Sequence, residues 1–194
     1  MFTYKKIPDF KIIAITNRNL CPRPLEDQAK LLCKEGIKDI IIREKDLTPK
    51  AYRALAERIY ENCKDFNGNL ILHSFWQERD PRFTKIHFPL WLLEENHKEI
   101  QKAAYKEIGV SCHSLLEARQ AISLGATYIT ASHIYQTDCK KDLKPRGLEF
   151  LNNICSHVDI PVYALGGIKS DGSQFEELKE AGAKGACIMS GFMK

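Results

Sequence analysis

One rhythm constrains this sequence more than anything else in it. Short runs of apolar, mostly β-branched residues recur along the whole length, each followed by a turn signal and then a helical pattern. The first is Lys11 to Thr16, and its helix, Leu25 to Glu35, stops at Gly36. The second, Asp39 to Ile42, closes on Arg43; Thr48-Pro49 then offers an N-cap and a proline at the first helical position. Further strands are expected at Asn69 to Leu72, Lys85 to Phe88, Ile108 to Ser111, Ala126 to Ala131, Pro161 to Leu165 and Gly185 to Met189. Ser114-Leu-Leu-Glu117 reads as a capping box opening a helix that ends at Leu124-Gly125, and Ser173 to Ala181 reads as a helix closed by Gly182. Strands apolar on both faces and separated by helices predict a buried parallel sheet. An open doubly wound sheet reads similarly, but a count of eight favours an α/β fold of the closed (β/α)8, or TIM, type.

The expectation is one barrel domain over residues 1–194. The chain stops four residues after Ser190, so the last helix reads as truncated. Either that helix is absent, or the chain is cut short, or a partner covers the flank; a homodimer is one consequence. The 29 basic and 25 acidic residues give a net charge of +4, too mild to argue for nucleic acid. No apolar run reaches the length of a membrane span, and Met1 to Lys11 lacks the layout of a signal peptide. Seven scattered cysteines without a C-x-x-C pair suggest neither a disulfide framework nor a zinc site, and point to a reducing cytoplasm.

In such barrels chemistry sits where the strands end and the loops lead into the helices. The seventh strand ends in Gly166-Gly167 and the eighth in Ser190-Gly191. Glycines there either merely turn the chain or let a phosphate approach backbone N–H groups. The sixth runs into Ser132-His133, followed by Thr137, Asp138, Cys139, Lys140 and Lys141, the densest polar run at any strand end. A histidine so placed is either a hydrogen-bonded packing residue or a group that exchanges protons near neutral pH. Thr137 and Lys140 can hold an anion, while Lys144 and Arg146 read equally as solvated loop charges. No motif positions a base for Cys139. Arg43 and Lys45, two apart, share one face and can both point into the mouth; Glu44 reads as well as a structural partner of an arginine. His73-Ser74 ends strand three and His113 follows strand five, whereas His87, His97 and His157 read as surface or structural. No carboxylate pair or His-x-x-x-His spacing supports a metal.

Ile41-Ile42-Arg43-Glu44-Lys45, Ile108 to Ser114, Thr137 to Lys141, Pro161 to Ile168 and Met189-Ser190-Gly191 together resemble the thiamine phosphate synthase/TenI family. The resemblance implies a β/α-barrel acting in thiamine biosynthesis on a small phosphorylated thiazole or related metabolite. Its synthase branch joins a pyrimidine diphosphate to a thiazole phosphate with magnesium. Those enzymes carry Gln where this chain has Ile41, Asn-Asp-Arg where it has His73-Ser74-Phe75, and an aspartate near Phe88-Pro89-Leu90 that has no counterpart. The loop from His133 through Thr137-Asp138-Cys139-Lys140-Lys141 is closer to the TenI branch, a thiazole tautomerase. On that resemblance His133 is the expected catalytic residue, Arg43, Lys45, Thr137 and Lys140 bind substrate, and Gly166, Gly167 and Ser190 hold its phosphate. No cofactor is expected, and magnesium only if the chain is a transferase.

Overall fold

The structure is a computed structural model that describes residues 7–77, 80–137 and 143–194. Eight strands, β1 (Lys11–Ile15), β2 (Asp39–Ile42), β3 (Asn69–His73), β4 (Lys85–Pro89), β5 (Glu107–Cys112), β6 (Tyr128–Ser132), β7 (Val162–Leu165) and β8 (Gly185–Ile188), form a closed barrel. Every neighbouring pair is parallel, and β8 returns to β1 with Ile13 opposite Cys187. Helices α1 (Leu25–Lys34), α2 (Pro49–Cys63), α3 (Leu90–Lys102), α4 (Leu115–Ser123), α5 (Gly147–Cys155), α6 (Phe175–Glu180) and α7 (Ser190–Met193) follow the strands. Among the described residues, no helix is long and apolar enough to cross a membrane.

Side-chain alternation sorts the core into two layers. Ala14, Ile40, Ile42, Leu70, Leu72, Ile86 and Phe88 belong to the large cluster that the helices cover. Their in-between neighbours Ile13, Ile15, Ile41 and Ile71 join Tyr128, Tyr163 and Cys187 in a separate cluster on the barrel axis. Gly109 makes room there: a Cβ at that position would lie 2.0 Å from Cζ of Tyr128.

The helix signals act as their chemistry requires. Thr48 Oγ1 accepts from the Ala51 N–H and Ser114 Oγ accepts from the Glu117 N–H. Helix α6 is shorter than its sequence pattern suggests. Asp171 captures both the N–H and the hydroxyl of Ser173, and the Gln174 side chain accepts from the Lys169 N–H, so the segment before Phe175 is a hydrogen-bonded turn.

The last helix is as short as the sequence implies, yet it is firmly packed. Helix α7 is a single turn whose Phe192 and Met193 are fully buried. Gln28 Nε2 donates to the Phe192 carbonyl at 2.5 Å, and Cys21 Sγ lies 3.4 Å from Met193 Sδ. These residues thus cover part of the flank for which the sequence suggested a partner.

Candidate active site

A cavity of about 870 Å³ opens at the C-terminal ends of the strands. Its β2 side carries Arg43 and Lys45, just past the strand end rather than on it. The backbone there is fixed from β1: Thr16 Oγ1 donates to Glu44 Oε1 at 2.7 Å and accepts from the Arg43 N–H at 2.8 Å. Glu44 is buried, and it also accepts from the Arg18 N–H and guanidinium. Its structural partner is therefore Arg18. Burial first, and the Arg43 charge second, lower the Lys45 pKa.

His73, His87 and Ser111 line the β3–β5 side. Tyr52 joins β2 to β3 beneath them: its hydroxyl donates to the Ile42 carbonyl at 2.7 Å and accepts from the His73 N–H at 2.8 Å. The two imidazoles stack with centroids 5.9 Å apart. His87 is tied at both nitrogens, to Tyr128 OH at 3.2 Å and Ser111 Oγ at 2.9 Å. His73 Nδ1 lies 2.9 Å from Oγ of Ser74, a residue held at φ +68°. Burial pushes both histidines toward the neutral form: His87 falls to about 3, helped by Arg43, and His73 falls well below its ordinary value, helped by His87, Arg43 and Lys45. His87 is therefore not the surface residue that was one of its two sequence readings; it is buried and tied at both nitrogens, as the structural reading has it, and it also lines the cavity. The signal was available: on β4, Ile86 and Phe88 pack outward, so the residue between them must face the axis.

His133, Gln136 and Thr137 line the β6 side. The Ser132–His133 peptide bond is cis, and His133 is buried with Nε2 3.3 Å from the Leu143 carbonyl. That contact uses an Nε2–H donor and leaves Nδ1 as the acceptor nitrogen. Lys140 lies outside the described residues, as do Asp138, Cys139 and Lys141. Thr137 and Gln136 border this segment.

Gly166 and Gly167 lie against the β6 loop, at φ +103° and +70°. A Cβ at Gly166 would sit 2.3 Å from Cβ of His133, and one at Gly167 would sit 2.4 Å from the Gln136 carbonyl oxygen. Only glycine fits either place. Among the described residues neither glycine N–H has an acceptor, and both glycines line the cavity with Ser190 and Gly191. Lys169 and Lys194 stand on the same side. His113, on the β5 loop, is a further lining residue, with Nδ1 3.1 Å from Glu117 Oε2. The described lining thus gathers Arg43, Lys45, His133, Thr137, Gly166, Gly167 and Ser190 around one space.

A β/α-barrel with a polar, cationic mouth and a double-glycine wall after β7 has the layout of the barrels whose last two strand-end loops form a phosphate site. Within that class the assignment is specific: the family model described as thiamine monophosphate synthase matches residues 12–192, and the chain belongs to that family. A thiamine-phosphate synthase of Fusobacterium nucleatum is 29% identical over 196 residues, covering 96% of this chain and 91% of that one. A putative thiamine-phosphate synthase 2 of Aquifex aeolicus is 28% identical, covering 93% and 95%. Among solved structures, a thiamine phosphate pyrophosphorylase from Pyrococcus furiosus superposes with a TM-score of 0.77 at 23% identity, over 94% of this chain and 86% of that one. At that identity the likeness supports the fold alone.

Proposed function

We propose that this cavity takes a thiazole phosphate and that the chain is an enzyme of thiamine biosynthesis. The observation that carries the reading is the Gly166-Gly167 wall, whose two N–H groups find no acceptor among the described residues and which lines the cavity with Ser190, in a barrel of this family. In this reading those groups hold the phosphate, and the ring lies between His133 and the β2–β4 side.

Two chemistries are open to such a ligand. Synthesis of thiamine phosphate leads, because the relatives named above are synthases by name and lend no support to the tautomerase expected from the sequence. Magnesium does not fit the described residues well. Asp171 is the single side-chain carboxylate in the described lining, and its Oδ1 already accepts from the Ser173 N–H and hydroxyl. A hard cation that prefers oxygen ligands finds instead Arg43, Lys45 and neutral imidazoles. The second reading, aromatisation of a thiazole phosphate carboxylate, is favoured by this same donor set and by His133, whose acceptor nitrogen can take a proton from one ring position and return it at another.

One experiment separates them. The protein is given pyrimidine diphosphate with thiazole phosphate, and separately the non-aromatic thiazole phosphate carboxylate. Thiamine phosphate as product supports the synthase. Rapid aromatisation alone, reduced about 100- to 10,000-fold by His133→Ala, supports the tautomerase. Turnover of neither substrate set removes both and leaves a binding protein.

A further inference from the structure

We propose that Cys33 and Cys63 form a paired oxidation site, at which a hydroperoxide closes a disulfide that staples α1 to α2. The inference is independent of the function proposed above.

The two residues hold matching places in consecutive β/α units. Cys33 is the penultimate residue of α1 and Cys63 the last of α2. In such a barrel the helices end on the side away from the mouth, and neither cysteine lines the cavity. Both are free thiols, 3% and 0% exposed. Their side chains converge on Gly68: a Cβ there would stand 2.8 Å from Cys63 Cβ and 3.0 Å from Cys33 Sγ. The Gly68 backbone is not left-handed, so glycine is needed there for room rather than for conformation. Its N–H donates to the Cys63 carbonyl at 3.2 Å, which holds the chain against the pair.

The two thiols are not equivalent. A hydrogen bond with Cys63 holds the Cys33 thiol below its ordinary pKa, against the effect of burial and with help from the Lys38 charge. The same contact pushes Cys63 up. Cys33 is therefore the nucleophile and Cys63 the resolving thiol. The Cys33 thiolate attacks one oxygen of hydrogen peroxide, breaks the O–O bond and becomes a sulfenic acid, with hydroxide leaving. The Cys63 sulfur then attacks the Cys33 sulfur, gives up its proton and displaces the second oxygen. Two thiols are oxidised to one disulfide, and the peroxide is reduced to two waters. Burial restricts the oxidant to one this small, and a resolving thiol in contact captures the sulfenic acid before a second peroxide does. The new bond closes a loop of about 30 residues on the side of the barrel away from the cavity, so it ties the helices without touching the strand ends.

The test treats the folded protein with hydrogen peroxide, alkylates the remaining thiols in denaturant and maps the peptides, with melting curves alongside. A Cys33–Cys63-linked peptide is expected, lighter by about 2 Da than its free-thiol halves together and split by dithiothreitol. The melting temperature should rise by about 4–16 °C, as a disulfide across such a loop implies for a chain of this size. Cys33→Ala and Cys63→Ala should each abolish the link and the rise; the wild-type peptide map carries the test if a variant does not fold. Recovery of both cysteines alkylated, at every peroxide dose the fold survives, overturns the inference. So do a link from either cysteine to a different one, Cys33 found as sulfinic acid without a link, and a Cys33–Cys63 link that lowers the melting temperature.

Discussion

Replacing Gly166 by alanine tests whether the wall after β7 is built as tightly as its geometry indicates. Two costs combine there. At φ +103° an L-residue meets backbone strain of about 1–2 kcal/mol. The new methyl would also stand 2.3 Å from Cβ and 2.9 Å from Cα of His133, and such overpacking costs about 1–3 kcal/mol. The total, about 2–5 kcal/mol, corresponds to a melting temperature lower by about 4–20 °C for a chain of this size. Gly147 supplies the control: its φ is +75°, but nothing lies within 4 Å of the place a methyl would take, so Gly147→Ala meets the strain without the clash. Thermal and urea denaturation of the two variants side by side isolate the second cost. The same clash displaces His133, so Gly166→Ala should also weaken thiazole phosphate binding while Gly147→Ala does not. Equal melting temperatures for the two variants would refute the reasoning, because they would mean that the β6 and β7 loops give way freely.

Two further outcomes follow from the buried polar groups. Tyr52→Phe leaves the Ile42 carbonyl and the His73 N–H without their shared hydroxyl, and should cost about 1–3 kcal/mol in urea denaturation; no loss would mean that this link between β2 and β3 is dispensable. His73 and His87 are kept neutral in the fold, with folded pKa values below those of the unfolded chain. The unfolded state therefore binds protons first, so stability is full above about pH 7 and falls below it, with His87 alone contributing about 1.5 kcal/mol between about pH 6.5 and 5 and His73 acting in the same direction. His87→Gln should flatten that slope in denaturation curves taken across the range, and an unchanged slope would count against the assignment.

Much of this architecture was legible because strand burial and helix caps are local. β-branched runs, Thr48-Pro49 and the Ser114–Glu117 pair each act through residues a few positions apart. What was not legible depends on contacts across the barrel. Glu44 finds Arg18, 26 residues earlier, rather than its neighbour Arg43. Phe192 and Met193 are buried against the segment around Gln28 and Cys21, which no local pattern announces. His87 could have been found from the alternation along β4 once a closed barrel was accepted, since an axis-facing position in a barrel mouth is a site position. The family resemblance named strand ends that line one cavity, yet it pointed toward the tautomerase branch while the relatives found are synthases by name. Branch identity rests on few residues, and Lys140 with its neighbours lies outside the described residues.

The most direct test of the account is a crystal structure of the protein with thiazole phosphate bound. The account predicts the phosphate against the Gly166 and Gly167 N–H groups and the Ser190 hydroxyl, with the ring beside His133. A phosphate seated instead at Arg43 and Lys45, with the glycine wall untouched, would contradict it.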